Sequence, residues 1–149
     1  MTQSEKAYIL RLRALCDTIT DRYEYEIFYA ICKRFMQFKR GEAETKNITK
    51  TELIDLLVSK GLMQMVFNKE TGLYDKYPDD RGLRRSIREL LKRGFPVLTT
   101  SHDGGCYIAE TEEEVSAPQK ENHSRAVAIL AVDKGYNLVK QFIKGGDAI

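Results

Sequence analysis

The chain has 149 residues, 42% hydrophobic and 31% charged, which suits one domain with appendages and supplies enough apolar material for a core. A formal net charge of +2 and a pI of about 8.4 exclude the bulk basicity of a nonspecific nucleic-acid coat, so binding to a polyanion has to come from local clustering. No apolar run approaches the ~20 residues of a membrane span, and the opening MTQSEKAYILRLRALC lacks the apolar centre of a signal peptide, so a cytoplasmic protein with no membrane partner is expected.

Residues 4–16 carry Ala7, Ile9, Leu10, Leu12, Ala14 and Leu15 among charges, the pattern of a short amphipathic helix. Asp21 with Glu24 three residues later marks a new helix start. The segment Tyr23–Lys39 then places Ile27, Phe28, Ile31, Phe35 and Phe38 at helical spacing, which assigns these aromatics to core packing rather than base stacking. Tyr23, Tyr25, Tyr74 and Tyr77 are the aromatic candidates for exposed contacts. Thr49-Lys50-Thr51-Glu52 is a capping box, flanked by Ile48 and Leu53 at the hydrophobic-staple positions, and its helix ends before Gly61 with Leu53, Ile54, Leu56, Leu57 and Val58 mostly buried.

Between residues 62 and 78 two readings stay open. Met63–Phe67 and Leu73–Tyr77 flank the turn-like Asn68-Lys69-Glu70-Thr71-Gly72, so the segment is either a hairpin or a mobile loop that reaches a partner. Asp79 and Asp80 then open a basic helix, where their carboxylates suit the positive end of the helix dipole. Wound at about 3.6 residues per turn, residues 81–93 put Arg81, Arg84, Arg85, Arg88 and Lys92 within an arc of about 100°. Leu83, Ile87, Leu90 and Leu91 fall on the neighbouring arc. The helix can bury one face and offer arginines on the other, although such a charge run is also what an ordinary solvated face looks like. Arginine's planar fork suits phosphate oxygens and guanine edges, while Lys92 and Arg93 suit phosphates.

Gly94 ends this helix, and strands Pro96–Thr100 and Cys106–Glu110 close through Ser101-His102-Asp103-Gly104-Gly105. A helix leading at once into a two-stranded flap is the arrangement of a recognition helix and wing. The tip, with Ser101, His102 and Gly104, is placed to lie along a phosphate backbone, and Asp103 argues against deep insertion into a minor groove. Thr111-Glu112-Glu113-Glu114 forms a second capping box, Ser116–Asn122 with Pro118 reads as a polar break, and Ser124–Ile143 as a helix that Gly135 divides or bends. Ile129, Val132, Tyr136, Val139 and Ile143 follow 3,4 spacing, a seam for packing on the same chain or for a homodimer. The tail Gly145-Gly146-Asp147 is expected to fray. The organisation expected is a helical appendage at 1–20, a domain at 21–115 and a helical segment at 116–149.

The 3 cysteines, Cys16, Cys32 and Cys106, form no C-x-x-C pair and are expected to be reduced. His102 and Cys106 give H-x-x-x-C, which lacks the further ligands a metal site needs. No phosphate loop, nucleophile elbow or zincin motif is present, so neither catalysis nor a cofactor is expected.

Leu83-Arg84-x-x-Ile87-x-x-Leu90, Gly94-Phe95-Pro96-Val97, Gly105-Cys106-Tyr107-Ile108-Ala109 and the acidic run Glu112-Glu113-Glu114 resemble the winged helix-turn-helix proteins of bacteria and their phages, most nearly the biotin-repressor type of winged domain. The resemblance covers roughly residues 80–115. It implies a mainly α fold with a small β-hairpin wing, an α+β class with additional N- and C-terminal helices. It also implies double-stranded DNA as partner, in a transcriptional regulator or a replication or recombination accessory of phage type. The other reading is a module that binds a host or replication protein. The segment 62–78 departs from the motif, whose helices are joined by a turn of ~3–4 residues.

Overall fold

The computed structural model describes residues 1–100 and 104–145. The chain is mainly helical with antiparallel hairpins, an α+β arrangement. It divides into two compact units, Met1–Ala109 and Glu110–Ile149.

In the first unit, helix α1 (Gln3–Asp17) starts on a capping box in which Thr2 Oγ1 accepts from Glu5 N–H at 3.0 Å and Glu5 accepts from Thr2 N–H. It buries Leu12 and Cys16, and its Tyr8 hydroxyl donates to the carbonyl of Ala109, so both ends of the unit are tied together. Helix α2 (Arg22–Lys39) is capped by Asp21, whose carboxylate accepts from Glu24 N–H at 2.9 Å. Ile27, Phe28, Ile31 and Phe35 recur at helical spacing along one stripe and are essentially inaccessible, which makes α2 the central element of the core. Tyr23 and Tyr25, expected to be exposed, are half-buried. Tyr23 lies with its hydroxyl 3.8 Å from the Met63 sulfur, and Tyr25 stacks on Tyr29, the more exposed of that pair.

After α2, the chain reaches Ile48, which forms an isolated antiparallel bridge with Cys106. Ile48 N–H donates to Cys106 O at 2.9 Å, and Ile48 O accepts from Cys106 N–H at 3.0 Å. Helix α3 (Lys50–Ser59) follows on the Thr49/Glu52 capping box and ends at Gly61, where φ is +73°. Leu53, Ile54 and Leu57 enter the core, while Leu56 and Val58 are half-buried.

The segment at 62–78 is a hairpin: β1 (Val66–Asn68) pairs with β2 (Leu73–Lys76) across a loop in which Gly72 N–H donates to Asn68 O at 2.8 Å. Val66, Phe67, Leu73 and Tyr74 are exposed on it, with Phe67 and Tyr74 covering one another. Tyr77, just past the hairpin, donates its hydroxyl to Asp55 at 2.9 Å and so ties the exit to α3.

Helix α4 (Arg81–Lys92) buries Leu83, Ile87 and Leu90. Leu91, expected on the buried arc, is exposed, because it lies at the border of that arc beside Arg84. A Schellman turn ends α4: Phe95 N–H donates to Leu90 O at 3.0 Å and Gly94, at φ +87°, donates to Leu91 O at 2.9 Å. Phe95, thus turned inward, meets Phe28 edge to face at 5.0 Å. Strands β3 (Val97–Thr99) and β4 (Cys106–Ile108) pair in the register Val97↔Ile108, Leu98↔Tyr107 and Thr99↔Cys106. The Ile48 bridge lies on the other edge of β4, giving the hairpin a third, minimal strand. Leu53, Leu57, Leu83, Ile87, Leu90, Val97 and Ile108 are all buried in one cluster.

The second unit is dominated by helix α5 (Glu112–Ile143), capped by Thr111, which accepts from Glu114 N–H at 3.2 Å, while the Glu114 carboxylate reaches back to Glu110 N–H at 2.9 Å. The expected break at Ser116–Asn122 and the division at Gly135 do not occur: α5 runs continuously through Pro118 and Gly135. Proline costs the Glu114 carbonyl its helical donor, about 3 kcal/mol. Polarity alone breaks nothing, and Gln119, Lys120 and Glu121 are good helix formers. Arg125 also pairs with Glu121 one turn back on the same face. No described residue of α5 is buried.

Candidate nucleic-acid interface

The first turn of α4 is set by two aspartates with different tasks. Asp79 is the capping group: its Oδ1 accepts from Arg81 N–H at 2.8 Å and its Oδ2 from Arg81 Nε at 2.8 Å. The backbone bond first, then the guanidinium, hold the Asp79 carboxyl below the usual aspartate range. Asp80, at the N-cap position, makes no side-chain cap bond. Its carboxylate sits 3.3 Å from Arg84 Nε and 3.6 Å from Lys50 Nζ, which links the start of α3 to the first turn of α4.

All the cations singled out on this helix are exposed, and they are not equivalent. Arg81 is paired with Asp79, Arg84 with Asp80, and Lys92 with Glu89 at 3.1 Å. These pairs lie at the surface, where solvent screens an ion pair and leaves it weak enough to exchange for another anion. Arg93 is held more firmly: it pairs with Glu24 of α2 and lies over the Phe95 ring, its carbon Cζ 5.3 Å from the centroid. Arg85 and Arg88 have no ion-pair partner among the described residues. They stand one turn apart in the middle of the exposed arc, flanked by Arg81, Arg84 and Lys92.

The hairpin that follows is rigid at its base. Val97, Leu98, Cys106 and Ile108 are buried, Ala109 N–H donates to Pro96 O at 2.9 Å, and Thr100 N–H donates to Gly105 O at 2.9 Å. Ser101 and His102, expected at the tip, lie outside the described residues, as does the histidine of the H-x-x-x-C pair. Gly104 is described. It has φ +65°, and a Cβ there would stand 3.4 Å from Lys50 Cδ. Lys50 therefore lies between the returning limb of the hairpin and Asp80 of the α4 start. Lys46, with its Nζ 5.2 Å from the Tyr107 ring centroid, lies on the hairpin as well. Lys46 and Lys50 join the site with no signal in the sequence. Their proximity depends on the bridge between Ile48 and Cys106, and a single bridge has no sequence period.

Cys16 and Cys106 are buried, Cys32 is half-buried, and each carries a thiol rather than a disulfide. Burial, with Asp17 adding to it, pushes the Cys16 thiol up; burial pushes Cys32 up strongly. Among the described residues no group of three or more His, Cys, Asp or Glu is gathered as metal ligands would be, and no helix is long and apolar enough to cross a membrane. The chain matches no known family model, curated protein or solved structure.

Proposed function

We propose that the unit Met1–Ala109 is a winged helix-turn-helix domain that binds double-stranded DNA, with α4 as recognition helix and β3–β4 as wing. Its setting would be a transcriptional regulator or a replication or recombination accessory of phage type. The observation that carries the reading is the exposed arginine face of α4, with Arg85 and Arg88 uncommitted at its centre, joined by a glycine turn to a hairpin anchored on both edges of β4. Arg81, Arg84, Arg85, Arg88 and Lys92 face the groove and its phosphates. Lys50 extends the basic surface toward the hairpin. Phosphate contacts supply most of the affinity, and one or two arginines the specificity.

One observation favours a second reading, a module that binds another protein. The β1–β2 hairpin inserted between α3 and α4 exposes Val66, Phe67, Leu73 and Tyr74, a composition suited to an apolar partner.

A fluorescence-anisotropy titration against random duplex DNA at low and moderate salt separates the readings. A face using about five phosphate contacts gives a slope of log affinity on log salt of roughly −4 to −5, at about −0.9 per phosphate. Arg85→Ala with Arg88→Ala should abolish measurable binding at moderate salt and flatten the slope by up to ~2 units. Where one of them reads a base, affinity for the preferred site falls by ~1–3 kcal/mol with less change in slope. Both side chains are exposed, so the melting temperature should hardly move. A wild type that binds no duplex at low salt, or a double variant that binds as well as wild type, rejects the DNA reading in favour of the protein partner.

A further inference from the structure

Helix α5 leaves a long apolar face uncovered. Ile129, Val132, Tyr136, Val139 and Ile143 are between 54% and 77% exposed, although their 3,4 spacing places them along one stripe. From the first to the last the stripe runs about 21 Å at 1.5 Å per residue. We propose that this stripe pairs with the same stripe of a second copy of the chain, with the two helices antiparallel and Tyr136 of each copy packed on Val139 of the other.

The direction and the register follow from the residues beside the stripe. With Ile129, Tyr136 and Ile143 at heptad position a, and Val132 and Val139 at d, Asp133 and Lys140 fall at e, and Ala128, Gly135 and Phe142 at g. In a parallel pair each e residue meets a g residue of the partner. Asp133 would then meet alanine and Lys140 glycine, and neither charge would find a counter-charge. In an antiparallel pair a faces d, which brings e beside e and g beside g. The register that seats Tyr136 on Val139 of the other copy also seats Val132 on Ile143. In that same register Asp133 lies beside Lys140 of the other copy, and Phe142 lies over Gly135, whose Cα meets nothing within 4 Å where a Cβ would stand. Two-fold symmetry repeats each contact, so the patch is complementary to itself in charge and in shape. Neither Asp133 nor Lys140 has an ion-pair partner among the described residues, and on one helix they lie one heptad apart, about 10 Å along the axis, too far to pair with each other.

Sedimentation equilibrium of the full chain without DNA, from micromolar to near-millimolar concentration, tests this independently of the DNA reading. The wild type should dimerise. Asp133→Lys and Lys140→Asp should each weaken the dimer by about tenfold, since each turns two attractive pairs of a few tenths of a kcal/mol into two repulsive ones. The reversal of both together should restore dimerisation to within about threefold of wild type, because the two charges have then changed places and still meet as opposites across the interface. Tyr136→Glu should leave a monomer with unchanged helix content. A wild type that stays monomeric throughout overturns the proposal. So does a dimer that ignores Tyr136→Glu, whose interface is elsewhere, or one that responds to neither charge reversal, whose helices are not antiparallel in this register.

Discussion

Glu52 serves two structures at once. It closes the cap of α3, and its carboxylate takes the guanidinium of Arg34 from α2, which also donates to Asn47 O at 2.9 Å. The Arg34 hydrogen bond first, with Thr49 adding to it, holds the Glu52 carboxyl below its ordinary value of 4.5. A carboxyl with a lowered pKa binds fewer protons folded than unfolded. Its contribution is therefore complete above the unfolded value and drains as pH falls through the folded one. Glu52→Gln should destabilise the chain at neutral pH, and the gap between the urea midpoints of variant and native chain should close as pH drops below 4.5. Because the Glu52 side chain is 41% exposed, solvent screening keeps the effect small. A gap that widens on acidification would contradict the assignment.

At the scale of the element, α4 divides its faces. Ile87 is 3% exposed in the core cluster where α4 meets α2 and β3, so Ile87→Ala should cost about 2–5 kcal/mol in chemical denaturation. A loss under about 1 kcal/mol would mean that the site relaxes around the deletion. This division was legible in the sequence, since helical spacing separates leucines from arginines without tertiary knowledge. So were the caps at Asp21 and Thr49 and the β3–β4 hairpin, each written within a few residues. The rest depended on contacts between distant segments. Arg93 is committed to Glu24, 69 positions away, and Lys50 is placed beside Gly104 only through the Ile48 bridge. Pro118 misled for a different reason: one lost hydrogen bond does not end a helix that retains its bonds on both sides.

At the scale of the molecule, the first unit closes on itself. The Tyr8 hydroxyl reaches Ala109 O, the last residue of the unit, and α1 contributes Leu12 and Cys16 to the same core as Val97 and Ile108. The fragment Met1–Glu110 should therefore melt in one cooperative transition within about 5 °C of the corresponding transition of the full chain, the size of a ~1 kcal/mol change for a unit of this length. Differential scanning calorimetry of fragment and full chain checks it. A fragment without a cooperative transition would show that the core requires Thr111–Ile149.

The bond from Tyr8 to Ala109 spans 101 residues and ends just past β4, the strand on which the Ile48–Cys106 bridge closes. Synthesis from the N-terminus makes β4 the last element of the first unit. At about 5–20 residues per second, roughly 5–20 s separate the making of Tyr8 from that of Ala109. When α4 has been made, the apolar stripes of α1 to α4 still lack their final covering, Val97, Cys106 and Ile108. The first unit therefore keeps part of its apolar surface open until β4 is made.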